Sequence, residues 1–409
     1  MKAGILTIGD EIISGFSVDT NSVWLAQELL KRGITTLKKA SVGDDPEAIR
    51  EVLARWDGKL DLVIATGGLG PTHDDITKTA FCQYFNSELR FDEGYWELLI
   101  ERFKKRGYDI PANNRAQAEI PIKSVAIPNP VGTAPGLQFR SGTTTFYVLP
   151  GVPTEMKAIM TEQILPEMGS GDMVPILTLR TTGIIESALA EKLKHVVSAL
   201  KGIQVAYLPA YTGVDIRLRA LEPVVMTPDV IESAAGEIES ILGDLVYARG
   251  DTTLEEVVGK LLKERKETLA LAESCSGGLA SSRITDIPGS SAYMLGAVVA
   301  YSNEAKIRHL SVDADTLKAH GAVSEATARE MAEGVKSVFN AHWGVATTGI
   351  SGPTGGTTAK PVGLVFTAVA GIKRTVVREA RLVPHRLPHK AAASQVALNL
   401  LRLEILHHG

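Results

Sequence analysis

Leu60–Thr77 reads LDLVIATGGLGPTHDDIT. Its first six residues form a short apolar run with β-branched Val63 and Ile64, too brief for a helix and cut off by glycines at 67, 68 and 70. A run of that kind reads as a buried strand that empties into a Gly-rich turn. Upstream, Ala3–Ile8 is a second apolar strand and Asp19–Arg32 a helical stretch, with Asp19 or Thr20 as its N-cap and Gly33 as its stop. Ile34–Val42 reads as a strand, and Pro46–Trp56 as a helix with Pro in its first turn. Strands and helices in this alternation predict an α/β domain with a largely parallel sheet over residues 1–168.

The rhythm changes twice. After Met168–Asp172 (MGSGD), read as a linker, residues 170–250 give strand Ile176–Thr181, helix Glu186–Ser198, strands Ile203–Tyr207 and Val214–Leu221, and helix Asp229–Gly243. That is a small α+β unit. From 251 to 409 the α/β pattern returns: helix Leu254–Arg265, strand Thr268–Ala272, a Gly-rich turn and a helix, and strand Ala297–Tyr301. Strands near Val345 and Val365 and a closing helix from Pro388 complete it. The fold class expected is therefore α/β: two α/β domains separated by a small α+β domain. A chain of 409 residues is long enough for two or three cores.

Composition narrows the function classes. A net charge of −4 provides no broad pull toward nucleic acid or anionic membrane. Cys82 and Cys275 lie far apart without metal-ligand spacing, which argues against a disulfide framework or zinc knuckle and fits a reducing cytoplasm. The start, MKAGILTIGDE, lacks an apolar stretch of signal-peptide length, and no apolar run approaches the length of a bilayer span. A cytoplasmic protein with no membrane partner is expected.

Two segments carry chemistry. The first is Ala272–Gly278, AESCSGG. A serine placed after a strand and before glycines stands at the strand's carboxyl end, where free N–H groups of a helix start can face a developing oxyanion. Ser274 is the candidate nucleophile, and Cys275 its rival; a Ser-Gly-Gly turn that only starts a helix is the bland alternative. For a base, His309, His320 and His342 have no telling context. Lys306, in YSNEAK, could serve if burial lowers its pKa, with Tyr301 and Ser302 orienting the amine. Thr348–Gly363, TGISGPTGGTTAKPVG, offers N–H and hydroxyl donors for a phosphate or ribose.

The second segment is Thr66–Thr77 itself. It lacks the Gly-Lys-Ser/Thr ending of a Walker loop, but its glycines can present N–H groups to a phosphate. Asp10 and Glu11, Asp44 and Asp45, and Asp74 and Asp75 follow strands and would converge at the strands' carboxyl ends, where they could hold a hard cation. The competing reading makes Asp19, Asp44 and Asp75 helix N-caps.

AESCSGG, GSSAYMLGAVVAYSNEAK, HGAVSE and GISGPTGG with KPVG together resemble the nicotinamide-nucleotide (NMN) amidohydrolase domain of the CinA family. The resemblance implies hydrolysis of the NMN carboxamide to nicotinate mononucleotide and ammonia without a cofactor. Ser274 would be the nucleophile, Lys306 the general base and Tyr301 the orienting group. Ser276, Gly277, Gly278, Gly352, Gly355, Gly356 and Arg386 would bind substrate. Two positions depart from the family's pattern. Ser276 stands where Thr is usual, retaining the hydroxyl. Lys390 stands four residues after Arg386, where a second Arg is usual, and losing the planar fork there is expected to weaken phosphate binding.

GDEIISGFSVDTN, TGGLGPTHDDIT, NPVGTAPG and LPGVPTEM resemble the family's N-terminal domain, within the molybdopterin-binding fold group. The resemblance implies a divalent-metal-dependent ADP-ribose pyrophosphatase that yields AMP and ribose 5-phosphate. Glu11, Asp44 and Asp75 would hold the metal, and Gly67, Gly68, Gly70 and Thr72 the substrate; Asp10 and Asp74 match less well. A molybdopterin-binding or adenylyltransferase role, and a non-enzymatic interaction module in DNA uptake or recombination, are the rival readings. Residues 170–250 resemble the family's KH-like domain. Its TTGIIES lacks the GXXG clamp of nucleic-acid-binding KH modules, so a spacer or dimerisation role is expected, with no nucleic-acid partner. The family also implies a homodimer.

Overall fold

A computed structural model of the chain describes residues 1–72, 75–168, 174–221 and 228–408. It divides into two compact units that meet in sequence between Pro175 and Ile176. Each is taken by itself. Of the linker expected at Met168–Asp172, residues 169–172 lie outside the described ones.

In the first unit β1 (Lys2–Ile8) leads through the short α1 (Asp10–Ile13) and α2 (Thr20–Lys31) to β2 (Thr35–Val42). Then α3 (Pro46–Trp56), β3 (Leu62–Thr66) and α4 (Thr77–Phe85) follow. A two-stranded excursion, β4 (Leu89–Phe91) with β5 (Glu119–Pro121), encloses α5 (Glu93–Lys105). β6 (Val125–Ile127), β7 (Gly136–Ser141), β8 (Thr144–Leu149) and α6 (Pro153–Ile159) close the unit. The six-stranded sheet runs β2-β1-β3-β8-β7-β6; the first four strands are parallel and the last two join antiparallel. β1 and β3 are apolar on both faces because helices cover both. One layer buries Ile49, Leu53, Trp56 and Phe81; the other buries Leu25, Leu29, Met156 and Ile159. The chain leaves β1 toward β2 on one side and returns to β3 on the other. That reversal opens a crevice at the carboxyl ends of β1 and β3.

The second unit holds two sheets. β9 (Ile176–Thr181), α7 (Glu186–Ala199), β10 (Ile203–Ala210), β11 (Gly213–Ala220), α8 (Pro228–Leu242) and β12 (Val246–Arg249) make an antiparallel sheet ordered β10-β11-β9-β12. On β11, Val214, Ile216, Leu218 and Ala220 are buried while Asp215, Arg217 and Arg219 take the alternate face, the period-two pattern of a half-covered strand. β12 is not expected from the sequence; four residues after a helix carry too little pattern.

The other sheet is built from α9 (Leu254–Arg265), β13 (Leu269–Glu273), α10 (Leu279–Thr285), β14 (Met294–Val299), α11 (Asn303–Leu310), α12 (Ala314–His320) and α13 (Glu325–Val338). β15 (Trp343–Gly349), β16 (Leu364–Ala370), β17 (Thr375–Arg381) and α14 (Arg386–His408) complete it. Its order is β14-β13-β15-β16-β17: three parallel strands, then two antiparallel ones. β14 begins earlier than expected and stops before Tyr301, which leaves Tyr301 in the connection that precedes α11. β13 has β14 on one side and β15 on the other, so a second reversal crevice lies at its carboxyl end. α9 starts with a full capping box, Thr253 and Glu256 exchanging bonds with each other's backbone.

Candidate active sites

The crevice beside β13 gathers Ser274 and Lys306. β13 is buried throughout, and Ser274 is the first residue beyond it. The Ser274 N–H is fixed on the Thr347 carbonyl of β15 at 3.0 Å, and the Gly277 N–H turns back to the Ser274 carbonyl at 3.2 Å. Gly277 and Gly278 lie at φ +61° and +91°, which side-chain-bearing residues rarely adopt.

Lys306 comes from α11, whose N-cap is Ser302, its hydroxyl accepting from the Ala305 N–H at 3.1 Å. A helical lysine is ordinarily solvated, yet Lys306 is only 1% exposed. Its Nζ lies 3.2 Å from Ser274 Oγ, donates to the Ala300 carbonyl at 2.8 Å and lies 3.5 Å from the Tyr301 carbonyl. Burial lowers its pKa below that of an ordinary lysine, against a smaller opposing pull from Cys275. A neutral amine has two hydrogens and one lone pair. With the carbonyls taking the hydrogens, the lone pair is left for Ser274.

The structure reassigns several expected partners. The Tyr301 phenol, 63% exposed, receives a hydrogen bond from Arg386 at 2.6 Å, and it is the Tyr301 carbonyl that lies near the amine. Ser302 acts on Lys306 through the helix it caps. Ser276, expected to bind substrate, is fully buried: its Oγ bonds Glu273 Oε2 at 2.7 Å and lies 2.6 Å from Thr347 Oγ1, so it braces the turn. Cys275 is buried against Val365 and Ala393, and burial pushes its thiol up to about 12, where the reactive thiolate is scarce. His309, His320 and His342 make no hydrogen bond to Ser274 among the described residues; His342 Nδ1 accepts from the Thr268 N–H instead.

The Gly-rich loop forms a second wall. Gly352 and Gly355 adopt φ +75° and +89°, and a side chain at Gly356 would collide with Val362. Thr348 Oγ1 donates to the Ala322 carbonyl at 2.6 Å, and Lys360 Nζ to the carbonyls of His320 and Val323 at 2.5 and 2.7 Å, tying HGAVSE to this loop. α14 is the back wall. Arg386 reaches the Gly352 carbonyl at 3.3 Å as well as Tyr301, and the Lys390 amine lies over Gly277, 3.3 Å from where a Cβ would sit. His389, which sequence reasoning missed, is fully buried with Nδ1 2.9 Å from Ser351 Oγ. Its partner lies 38 positions away and leaves no local signal.

The crevice beside β1 and β3 has a different character. A cavity of about 400 Å³ is lined by Gly67, Gly68 and Gly70, by the carboxylates of Glu11, Asp44, Asp75 and Glu155, and by no lysine, arginine or histidine among the described residues. Asn21 donates to Thr66 Oγ1 at 3.1 Å and to the Gly151 carbonyl at 2.8 Å. Asn129 donates to Glu155 Oε2 at 2.7 Å. These bonds are how the DTN, TGG, NPVG and PGVPTE segments meet. Glu155 and Gln117, another lining residue, were not singled out from the sequence.

Asp44 and Asp75, two of the three acids expected to hold a metal, are engaged in holding the loops. Asp75 accepts the N–H groups of Gly70 and Thr72 at 2.7 and 2.8 Å, and the Thr72 hydroxyl as well. Asp10 and Asp44 each accept the other's backbone N–H at 3.0 Å. Among the described residues no three His, Cys, Asp or Glu side chains form a metal-binding group. Glu11, Asp44 and Asp75 thus share a cavity without making a ready cage; Asp74 lies outside the described residues. The cap reading holds for Asp19, which accepts the Ser22 N–H, but α3 is capped by Asp45 instead of Asp44, and α4 has no side-chain cap.

The folds and the two crevices define a protein with a molybdopterin-binding-type α/β domain, a KH-like α+β domain and a second α/β domain. Three family models match in that order: "Probable molybdopterin binding domain" over residues 4–170, "Damage-inducible protein CinA KH domain" over 177–248 and "CinA C-terminal domain" over 251–405. The CinA-like protein of Salinibacter ruber is 41% identical over 408 residues, covering 98% of this chain and 99% of its own. That of Gemmatimonas aurantiaca is 40% identical over 412 residues, covering 98% and 96%. The chain belongs to the CinA family. A crystal structure of the competence/damage inducible protein CihA from Agrobacterium tumefaciens is 36% identical, with 38% of this chain and 94% of that chain covered and a TM-score of 0.37. No helix among the described residues is long and apolar enough to cross a membrane.

Proposed function

We propose that the C-terminal domain hydrolyses the carboxamide of NMN to nicotinate mononucleotide and ammonia. The observation that carries this reading is the buried Lys306 amine 3.2 Å from Ser274 Oγ. Ser274 Oγ attacks the carboxamide carbon as its proton passes to Lys306 Nζ. Lys306 returns that proton to the departing nitrogen, which leaves as ammonia, and an ester to Ser274 remains. Water, deprotonated by the same amine, then cleaves the ester to the carboxylate and restores the hydroxyl. Arg386 and Lys390 supply positive charge for the nucleotide's phosphate. No cofactor enters this scheme.

For the N-terminal domain we propose hydrolysis of ADP-ribose to AMP and ribose 5-phosphate. The glycine N–H groups after β3 suit a phosphate. A pyrophosphate entering a cavity walled by four carboxylates needs compensating charge, so the divalent cation is proposed to arrive with the substrate. The family model's own description favours a second reading, molybdopterin binding or adenylyl transfer; pterin-dependent nucleotide turnover exceeding ADP-ribose turnover would select it. A pull-down of DNA-uptake or recombination proteins, unaffected by Ser274→Ala, would instead favour an interaction module. The KH-like domain is assigned a spacer or dimerisation role without nucleic acid, in a cytoplasmic homodimer.

The test is ammonia release from NMN and AMP release from ADP-ribose, each with and without EDTA. The expected result is EDTA-resistant ammonia and EDTA-sensitive AMP. Ammonia release that EDTA abolishes, or that Ser274→Ala leaves intact, overturns the amidohydrolase assignment.

A further inference from the structure

The least ordinary group near Ser274 is the residue before it. Glu273 ends an otherwise apolar strand and is 0% exposed. A buried carboxylate is costly unless its oxygens are fully hydrogen-bonded. Here they are. Oε2 accepts from Ser276 Oγ at 2.7 Å and from the Ala280 N–H at 3.1 Å; Oε1 accepts from the Ser281 N–H at 2.8 Å and Ser281 Oγ at 2.7 Å. The carboxylate therefore reaches across the turn Ser274–Gly278 and holds the start of α10, whose own N-cap, Gly278, has no side chain to offer. Ser276 extends the brace to Thr347 on β15, the residue whose carbonyl fixes the Ser274 N–H.

We propose that Glu273 is a positioning residue for the amide-cleaving site: its carboxylate clamps the nucleophile turn from beneath and holds Ser274 Oγ against Lys306. The inference rests on the Ser274–Lys306 reading above. Each oxygen takes one backbone N–H, and both of those groups can only donate. A glutamine in the same place turns its NH2 toward one of them in either orientation, so the isosteric change breaks the clamp while adding almost no volume. Aspartate is one methylene too short to span both groups.

The experiment compares Glu273→Gln, Glu273→Asp and Ser281→Ala with the unaltered full-length chain, using two readouts. The first is the split of kcat and KM for NMN, beside thermal melting. Glu273→Gln is expected to lower kcat at least tenfold with KM within twofold and a cooperative melt retained; Ser281→Ala, which removes one of four donors, lowers kcat by about two- to fivefold. The second readout needs no substrate: the rate at which a fluorophosphonate phosphonylates Ser274 with loss of fluoride, followed by intact mass with Ser274→Ala as the blank. Glu273→Gln is expected to slow that labelling in parallel with kcat. Labelling at the unaltered rate in a folded Glu273→Gln protein overturns the positioning role, as does a loss confined to KM. If the unaltered chain releases no ammonia from NMN yet is labelled, and Glu273→Gln slows the labelling, the substrate reading fails and the positioning role stands.

Discussion

The two crevices sit at the same kind of place, where strand order reverses within a sheet, and they differ in electrostatic character. Beside β13, Lys306 and Ser274 are buried together, and burial lowers the pKa of the amine below that of an ordinary lysine. Beside β1 and β3, Glu11, Asp44, Asp75 and Glu155 line a cavity of about 400 Å³ whose lining holds no lysine, arginine or histidine among the described residues, although Lys78 lies close enough to Asp75 to feel its charge. The first site holds its proposed base within the fold. The second has fixed N–H donors and acidic walls, and is proposed to receive a divalent cation with its substrate. Shared topology sets where a site forms, and side-chain burial sets what it can do.

Ser274→Ala breaks the comparison most sharply. Ammonia release from NMN should fall by roughly a thousandfold or more, as expected when a nucleophile is deleted. AMP release from ADP-ribose should not change, because the other crevice shares no residue with this one. Parallel assays on one preparation check both arms; a fall in both would mean that the sites are coupled.

Lys306→Met follows, with a drop in NMN turnover of about a hundred- to ten-thousandfold for loss of a general base. It carries a second signature. Methionine fills a similar volume without a polar head to desolvate, so the melting temperature should hold or rise. A drop in activity with a lower melting temperature would point to lost folding, not to lost proton transfer.

Asp75→Asn probes the acidic crevice. Asp75 holds two N–H groups and the Thr72 hydroxyl, and an asparagine can accept from only one side of that set. Misplacing the glycine loop should cut AMP release about a hundredfold. Because these N–H groups are part-buried or exposed and water can replace the lost acceptor, the stability of the first unit should fall by no more than about 1 kcal/mol. Ammonia release should stay at its unaltered rate. If AMP release persists while stability falls, Asp75 is a loop staple and nothing more.

The pH profile distinguishes the sites more gently. Lys306 must be neutral to accept the Ser274 proton, and burial moves its titration below the ordinary lysine range. NMN turnover should therefore fall about tenfold per pH unit on the acid side of that lowered pKa and level off above it. The limb should vanish from the residual rate of Lys306→Met. AMP release, with no such amine lining its crevice among the described residues, should not follow the same limb.

Much of this was legible along the chain because it is local. Apolar runs such as Leu60–Ala65, Pro at the start of α3 and Asp19 before α2 each announce an element within a few residues. Four motifs lie in each α/β domain, and their clustering follows once the strands are parallel. What stayed hidden depends on distance. Glu273 looks like one more acid until its strand is seen to be buried; His389 meets Ser351 only after β16 and β17 have turned back; Glu155 joins the cavity through Asn129, 26 positions earlier. The edge strands β12 and β17 escaped for a different reason. β17 is half-covered and carries Arg378, Glu379 and Arg381, a composition that reads as a solvated connection unless its partner strand is already known.

Lys390 is where the smallest effect should separate two roles. The resemblance to the family leads one to expect an arginine there, and in the fold its amine lies over Gly277, next to the turn that carries Ser274. Arg386, one helical turn earlier, is already bonded to Tyr301 and Gly352. If the pair receives a phosphate, Lys390→Arg supplies a second planar fork, and KM for NMN should fall about two- to fivefold with kcat unchanged, since phosphate contacts act on bound substrate and transition state alike. If Lys390 instead serves the nucleophile turn, the bulkier guanidinium displaces Gly277, and kcat falls while KM holds. Nicotinamide riboside, which lacks the phosphate, sharpens the choice: the gain from arginine should disappear with it, whereas a disturbed turn would slow both substrates equally.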